Sequence, residues 1–94
     1  MNKSEMIDAI AARSGLSKAM VAKALDATTE TIIDAVAQGD TVTLVGFGTF
    51  KASTRAAREG KNPKSGEKIQ IPEMTVPKFA AGATFKNRVA GKEN

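Results

Sequence analysis

The chain has 94 residues, with fourteen Lys and Arg against ten Asp and Glu for a net charge of +4, and it contains neither cysteine nor histidine. That length holds a single domain, given roughly 100 to 200 residues per domain. The missing residue types exclude disulfides, thiolate or imidazole metal sites and histidine-based acid–base catalysis.

Charged residues follow Met1, and there is no run of about 18 apolar residues. This predicts neither a signal peptide nor a membrane span, and a cytoplasmic protein. The charge is unevenly placed. Residues 1–44 carry four basic and six acidic side chains, net −2, whereas residues 45–94 carry ten basic against four acidic, net +6. A basic half suits a polyanion, which nucleic acid or an anionic membrane surface supplies.

In chain order, Asn2-Lys3-Ser4-Glu5 has the form of a capping box and predicts a helix start. Met6, Ile7, Ile10 and Ala11 follow at helical spacing, and Ser14-Gly15 ends the helix. Ser17 caps a second helix with Met20, Val21, Ala24, Leu25, Ile32, Ile33 and Val36 as its apolar set, stopping at Gln38-Gly39-Asp40. A helix-turn-helix reading fails here. A recognition helix needs basic and amide side chains toward the phosphates, and this one carries Asp26, Glu30 and Asp34.

Thr41–Val45 alternates polar and apolar, Gly46-Phe47-Gly48 supplies a permissive turn, and Thr49–Ala52 resumes the strand pattern, which predicts a hairpin. From Ser53 the apolar face lapses, with nothing large enough to anchor a core through Lys61. Asn62-Pro63-Lys64-Ser65-Gly66 carries turn chemistry, and Glu67–Ile71 alternates again before Pro72. The pattern predicts a second hairpin projecting as an arm. About ten residues per limb at roughly 3.3 Å each give a reach on the order of 30 Å. Residues 51–68 carry six basic and two acidic side chains. Val76–Phe79 reads as a short returning strand, which Pro77 confines to an edge or a strand start. Ala80–Val89 reads as a last helix with Phe85 and Val89 on one side, and residues 91–94 as a loose tail.

The expected fold class is therefore α+β: two N-terminal helices, a three-stranded antiparallel sheet with a long protruding β-hairpin arm, and a short C-terminal helix. It is one domain over 1–94, with a helical part at 1–39, the sheet and last helix within 40–94, and the arm at about 53–75. Removing the arm leaves about 74 residues, too few for one layer of helices over three short strands to bury the helical stripes together with Leu44, Phe47, Phe50 and Phe79. A symmetric dimer sharing one core through these four residues is the simplest remedy.

Gly46-Phe47-Gly48-Thr49-Phe50, then Arg55, Arg58 and the run Gly60-Lys61-Asn62-Pro63-Lys64-Ser65-Gly66, closely resemble the HU/IHF family of bacterial histone-like DNA-binding proteins. The resemblance runs from Met1 to Lys86 and favours the HU branch. It implies an intertwined dimer whose two arms grip the minor groove of double-stranded DNA, bending and wrapping it with low sequence specificity in the bacterial nucleoid. It also implies a preference for bent or nicked DNA, and a homodimer with a heterodimer through a paralogue as the variant. Minor-groove proteins, HU and IHF among them, insert apolar wedges between base steps, and the residue at that position here is Pro63. Lys51, Arg55, Arg58, Lys61, Asn62, Lys64 and Lys68 would line the arm and its root, with Lys3, Lys78, Lys86 and Arg88 as body contacts to phosphates. Many relatives carry lysine after the glycine at 82, where this chain has Ala83; this leaves open the phosphate contact that the resemblance implies at that turn, with Arg88 one turn later to restore the charge.

Other readings are weaker. An integration-host-factor-like subunit of a site-specific heterodimer would share the same elements. An enzyme would have to work with Glu59, Glu67 and Glu73 on an exposed arm, and no cofactor or metal site is expected. A membrane-surface module lacks an amphipathic helix with basic flanks and aromatic anchors.

Overall fold

The computed structural model describes residues 1–91; of the expected loose tail at 91–94, residues 92–94 lie outside them. The chain divides into two compact units, Met1–Asp34 and one beginning at Ala35.

The first unit is helical. Helix α1 spans Lys3–Ser14, and its capping box forms: the Glu5 amide donates to Asn2 Oδ1 at 2.9 Å and the Asn2 amide to Glu5 Oε1 at 3.1 Å. Gly15 closes α1 at φ 77°, a left-handed conformation in which its amide donates to the Ala11 carbonyl. Helix α2 spans Lys18–Ala37, its last turn entering the second unit, with the Met20 amide donating to Ser17 Oγ at 3.2 Å. Thr28 and Thr31 sit mid-helix, where β-branching is unfavourable, and each hydroxyl donates back one turn, to the carbonyls of Ala24 at 2.7 Å and Ala27 at 2.6 Å. Gly39 stops the run at φ 88°, as the sequence predicts.

The second unit holds two sheets. Strands β1 (Val42–Leu44), β2 (Gly48–Arg55) and β5 (Met74–Ala81) form an antiparallel sheet in the order β1-β2-β5. Strands β3 (Arg58–Lys61) and β4 (Lys68–Ile71) pair with each other as the arm. Helix α3 spans Ala83–Val89. The α+β class follows, with three corrections. The returning strand is twice the expected length, because Pro77 lies on an edge strand, where its missing N–H breaks no ladder on the open side. That strand absorbs Ala80 and Ala81, so the last helix begins at Ala83 and not at Ala80. The arm is not one continuous hairpin: β2 keeps pairing with β5 out to Arg55 opposite Met74, and pairing resumes at Arg58 opposite Ile71. Two residues on each limb, 56–57 and 72–73, fall in the gap, so the register is preserved and no bulge residue is inserted. Pro72, with no N–H to give, sits in that gap.

Of the glycines flanking Phe47, only Gly46 takes a positive φ, 81°. Gly48 is a strand residue required by packing: a Cβ there would stand 2.4 Å from Phe79 Cε1 and 2.7 Å from the Ala80 carbonyl oxygen. Backbone bonds hold α3 to the β1–β2 turn, with the Gly82 amide donating to the Phe47 carbonyl at 2.8 Å and the Phe85 amide to the Gly46 carbonyl at 3.2 Å. A Cβ on Gly82 would meet the Gly46 carbonyl at 2.9 Å.

Replacing Gly48 with alanine drives a Cβ into both the Phe79 ring and the Ala80 carbonyl oxygen, and the backbone oxygen cannot yield as a side chain would. The expected loss is about 1–3 kcal/mol, read by chemical denaturation at fixed protein concentration; an unchanged midpoint would show that the ring has room.

Candidate nucleic-acid interface

Alternation along the three-stranded sheet sorts its side chains into two faces. Phe50 lies opposite Phe79, Leu44 opposite Gly48 and Thr54 opposite Thr75, all on one face. The Phe50 and Phe79 rings are 4.7 Å apart between centroids, and the Thr54 and Thr75 hydroxyls 3.4 Å apart. Phe47 in the turn completes the cluster, 6.3 Å from Phe50 and 5.5 Å from Phe79. Phe85 of α3 joins it, 5.4 Å from Phe47. The sequence reading put Phe85 on an apolar helix side but left it out of the shared core; its link to Phe47 depends on the docking of α3, which no local pattern discloses.

This aromatic face is poorly covered by its own chain. Phe47 remains 45% exposed, Phe79 40% and Leu44 43%, and among the described residues Val21 is the one buried apolar side chain.

The arm is the opposite case, basic and nearly without apolar content. Its register pairs Lys61 with Lys68, Glu59 with Gln70, Gly60 with Ile69 and Arg58 with Ile71. One small apolar contact escaped the sequence reading. Gly60 lies beneath Ile71, whose Cδ1 would come within 2.9 Å of a Cβ there. The tip is ordered by its own hydrogen bonds. The Asn62 amide donates to the Glu67 carbonyl at 2.8 Å, the Gly66 amide to the Asn62 carbonyl at 2.8 Å, and the Lys64 amide to Asn62 Oδ1 at 2.9 Å. Gly66 takes φ 71°. Asn62 therefore holds the turn from both its backbone and its side chain, and Pro63 is presented exposed at the end.

The remaining basic candidates lie elsewhere. Lys51 of β2 faces Lys78 of β5 across the ladder, and Arg55 ends β2. Lys86 and Arg88 occupy the last turn of α3. Lys3 belongs to the first unit and pairs with Asp26 at 2.6 Å, as Lys18 does with Asp8 at 3.1 Å. Both bridges are exposed, so each adds only about 0–1 kcal/mol. Among the described residues no three acidic side chains gather as a metal site, and no helix is long and apolar enough to cross a membrane.

A basic hairpin with a proline at its end, rooted in a small α+β body, defines an architectural class of DNA-binding protein. A family model described as bacterial DNA-binding protein matches residues 1–90, and the chain belongs to that family, the HU/IHF proteins. It is 56% identical over 87 residues to DNA-binding protein HU-beta of Neisseria meningitidis serogroup A, covering 93% of this chain and 98% of that one. It is 49% identical over 92 residues to DNA-binding protein HU 1 of Bacillus subtilis, covering 98% and 100%. Among solved structures it is similar to the HU of an Anabaena HU–DNA cocrystal, with a TM-score of 0.89 and 51% identity over 96% of this chain and 98% of that one. HU from Thermotoga maritima is similar at a TM-score of 0.67 and 34% identity, over 95% and 98%.

The tip geometry sets a local test. Asn62→Ala removes the bond to the Lys64 amide but leaves the two backbone bonds. An exposed hydrogen bond worth about 0.5–1.5 kcal/mol predicts roughly two- to tenfold faster amide exchange at Lys64, with the global melting temperature unchanged. Unchanged exchange would show that the side chain does not hold the turn.

Proposed function

We propose that two copies of the chain form a histone-like DNA-binding dimer, the residue 1–39 part and the aromatic face making the shared core. The observation that carries the reading is the arm: a basic hairpin with almost no apolar content, ending in an exposed Pro63 held by Asn62. Lys61, Lys64 and Lys68 at the tip, with Arg55 and Arg58 nearer the root, neutralise phosphates on either side of the minor groove. That groove shows a degenerate pattern of acceptors, so cations entering it read width and potential more than base identity. Binding is therefore tolerant of sequence. Pro63 is apolar, rigid and without an amide proton, so it can part a base step without leaving a donor unsatisfied. The bend so produced wraps DNA toward the body, where Lys3, Lys78, Lys86 and Arg88 reach phosphates; Lys3 must first leave Asp26. Bent or nicked duplex, already partly deformed, is preferred, and the place of action is the nucleoid in the cytoplasm. The HU–DNA cocrystal relative supports this reading.

Because the shared core forms only on association, folding and dimerisation are linked, and the melting temperature rises with protein concentration. A melting temperature flat over a hundredfold dilution, with a monomer mass in solution, would remove the dimer.

If each protomer neutralises about three to five phosphates, the slope of log K against log salt is roughly −5 to −9 for the dimer. Pro63→Ala keeps every charge and so keeps that slope, while losing the wedge. Energy transfer between the ends of a short duplex at saturating protein should report a bend for the wild type and a straighter duplex for the variant. Equal bending by both would reduce Pro63 to a turn former.

A further inference from the structure

The face of the three-stranded sheet opposite the phenylalanines carries an arrangement that is unfavourable in the free protein. The ladder sets Lys51 directly opposite Lys78, which brings their Cβ atoms within about 4.5–5.5 Å. Like charges at directly opposed positions weaken a strand pair. Nothing on that face offsets them: β1, β2 and β5 contain no Asp or Glu. Among the described residues, the carboxylates within ion-pair distance of a lysine are Asp26 and Asp8, bound to Lys3 and Lys18. The second lysine pair of the molecule, Lys61 opposite Lys68 on the arm, differs in this respect, because Glu59 lies two residues away on the same face.

The β2 row of that face is made of hydrogen-bond donors, while β5 sets Ala80, Val76 and Met74 opposite them. Alternation along β2 puts the hydroxyls of Thr49 and Ser53 on either side of Lys51, and the guanidinium of Arg55 beyond them, in one row. Thr49 also stands 3.5 Å from Thr43 across the β1–β2 ladder, oxygen to oxygen. Two ammonium groups across two strands, flanked by hydroxyls and an arginine, are suited to an anion with several oxygens and repeated charge.

We infer that the Lys51–Lys78 pair is a phosphodiester site on the sheet body that takes one backbone phosphate of a bound duplex per protomer and that stabilises the β2–β5 ladder when filled. This rests on the DNA-binding reading and adds to it a coupling between ligand and fold: the two lysines act as one unit, repelling each other in the free protein and bridged by the phosphate in the complex. Lys51 lies twelve and Lys78 fifteen residues along the strands from Pro63, so the pair engages DNA independently of the tip. A duplex gripped by the arms alone leaves the repulsion in place; one drawn down onto the sheet relieves it.

Charge reversal separates this coupling from a general effect of net charge. In low salt and without DNA, Lys78→Glu and Lys51→Glu should each raise the melting temperature by about 2–8 °C, since each turns the repulsive pair into an attractive one in both protomers. The double reversal restores like charges, and its melting temperature should fall back toward that of the wild type. Lys64→Glu, which makes the same change in net charge at the tip, should leave the melting temperature unmoved. At about 1 M salt, where screening acts over roughly 3 Å, the differences should close. With a mixed-sequence duplex, each single reversal should bind at least two- to fivefold more weakly and should reduce the salt slope by about two units, one phosphate per protomer. Melting temperatures that simply follow net charge, with the double reversal the highest, would overturn the coupling. Salt slopes equal to that of the wild type in both single variants would overturn the phosphate site. A wild type that binds no duplex at all would instead defeat the DNA-binding reading, and the melting series, read without DNA, would still stand on its own.

Discussion

The register between β2 and β5 is the constraint on which the rest of the second unit depends. Setting Phe50 against Phe79 at once sets Lys51 against Lys78 and Thr54 against Thr75, because opposed residues share a face and neighbours alternate. A slip of one residue would send the rings to the polar face and the lysines among the rings. Gly48 helps to exclude that slip, since the Phe79 ring occupies the place of its absent side chain. The same ladder carries Arg55 to the root of the arm, so one pairing decides where the aromatic surface lies and where the basic one begins.

The amount of structure legible in the chain followed how local its cause is. The Asn2–Glu5 capping box, the left-handed Gly15 and Gly39, and the Asn62–Gly66 tip each depend on residues a few positions apart, and each forms where the sequence places it. The length of β5 was not legible, because Pro77 reads as an obstacle until the strand is known to be at an edge. The gap at 56–57 and 72–73 was hidden for a related reason: Pro72 was read as the end of the arm strand, and its effect on the opposite limb appears only with the register. Of the candidate site, the tip and its flanking cations could be named from the sequence. The opposition of Lys51 and Lys78, 27 positions apart, and the contact of Phe85 with Phe47 required the pairing of elements distant in the chain.

An interior this small is the reason the proposed reading makes association part of folding. Ordering backbone costs about 1–2 kcal/mol per residue, and a chain with Val21 alone fully buried among its described apolar side chains recovers little of that from its own core. Aromatic pairs add about 0.5–1.5 kcal/mol each beyond area burial, but Phe47, Phe79 and Phe85 remain 37–45% exposed, and that part of their burial is still to be gained. In the proposed dimer a second copy of the same face supplies it without any new chemistry. On the proposed reading the absence of acidic residues from β1, β2 and β5 has a reason: one face of the sheet is given to apolar burial and the other carries the lysine pair offered to a phosphate, and a carboxylate would serve neither.

The arm follows from the converse economy. It is joined to the sheet through a ladder gap at Pro72, contains two isoleucines as its larger apolar side chains, and is tied at the tip by three hydrogen bonds around Asn62. A two-stranded hairpin of that kind is marginal in water without a surface to pack on. On the proposed reading the minor groove offers such a surface, apolar along the sugars and charged along the phosphates, so the contacts that hold DNA would also be those that complete the hairpin. Part of the interaction energy is then spent on ordering, which lowers affinity for any one site. What remains is mostly phosphate neutralisation, which is indifferent to sequence. On that reading weak, salt-sensitive and sequence-tolerant binding follows from the same absence of a core within the arm.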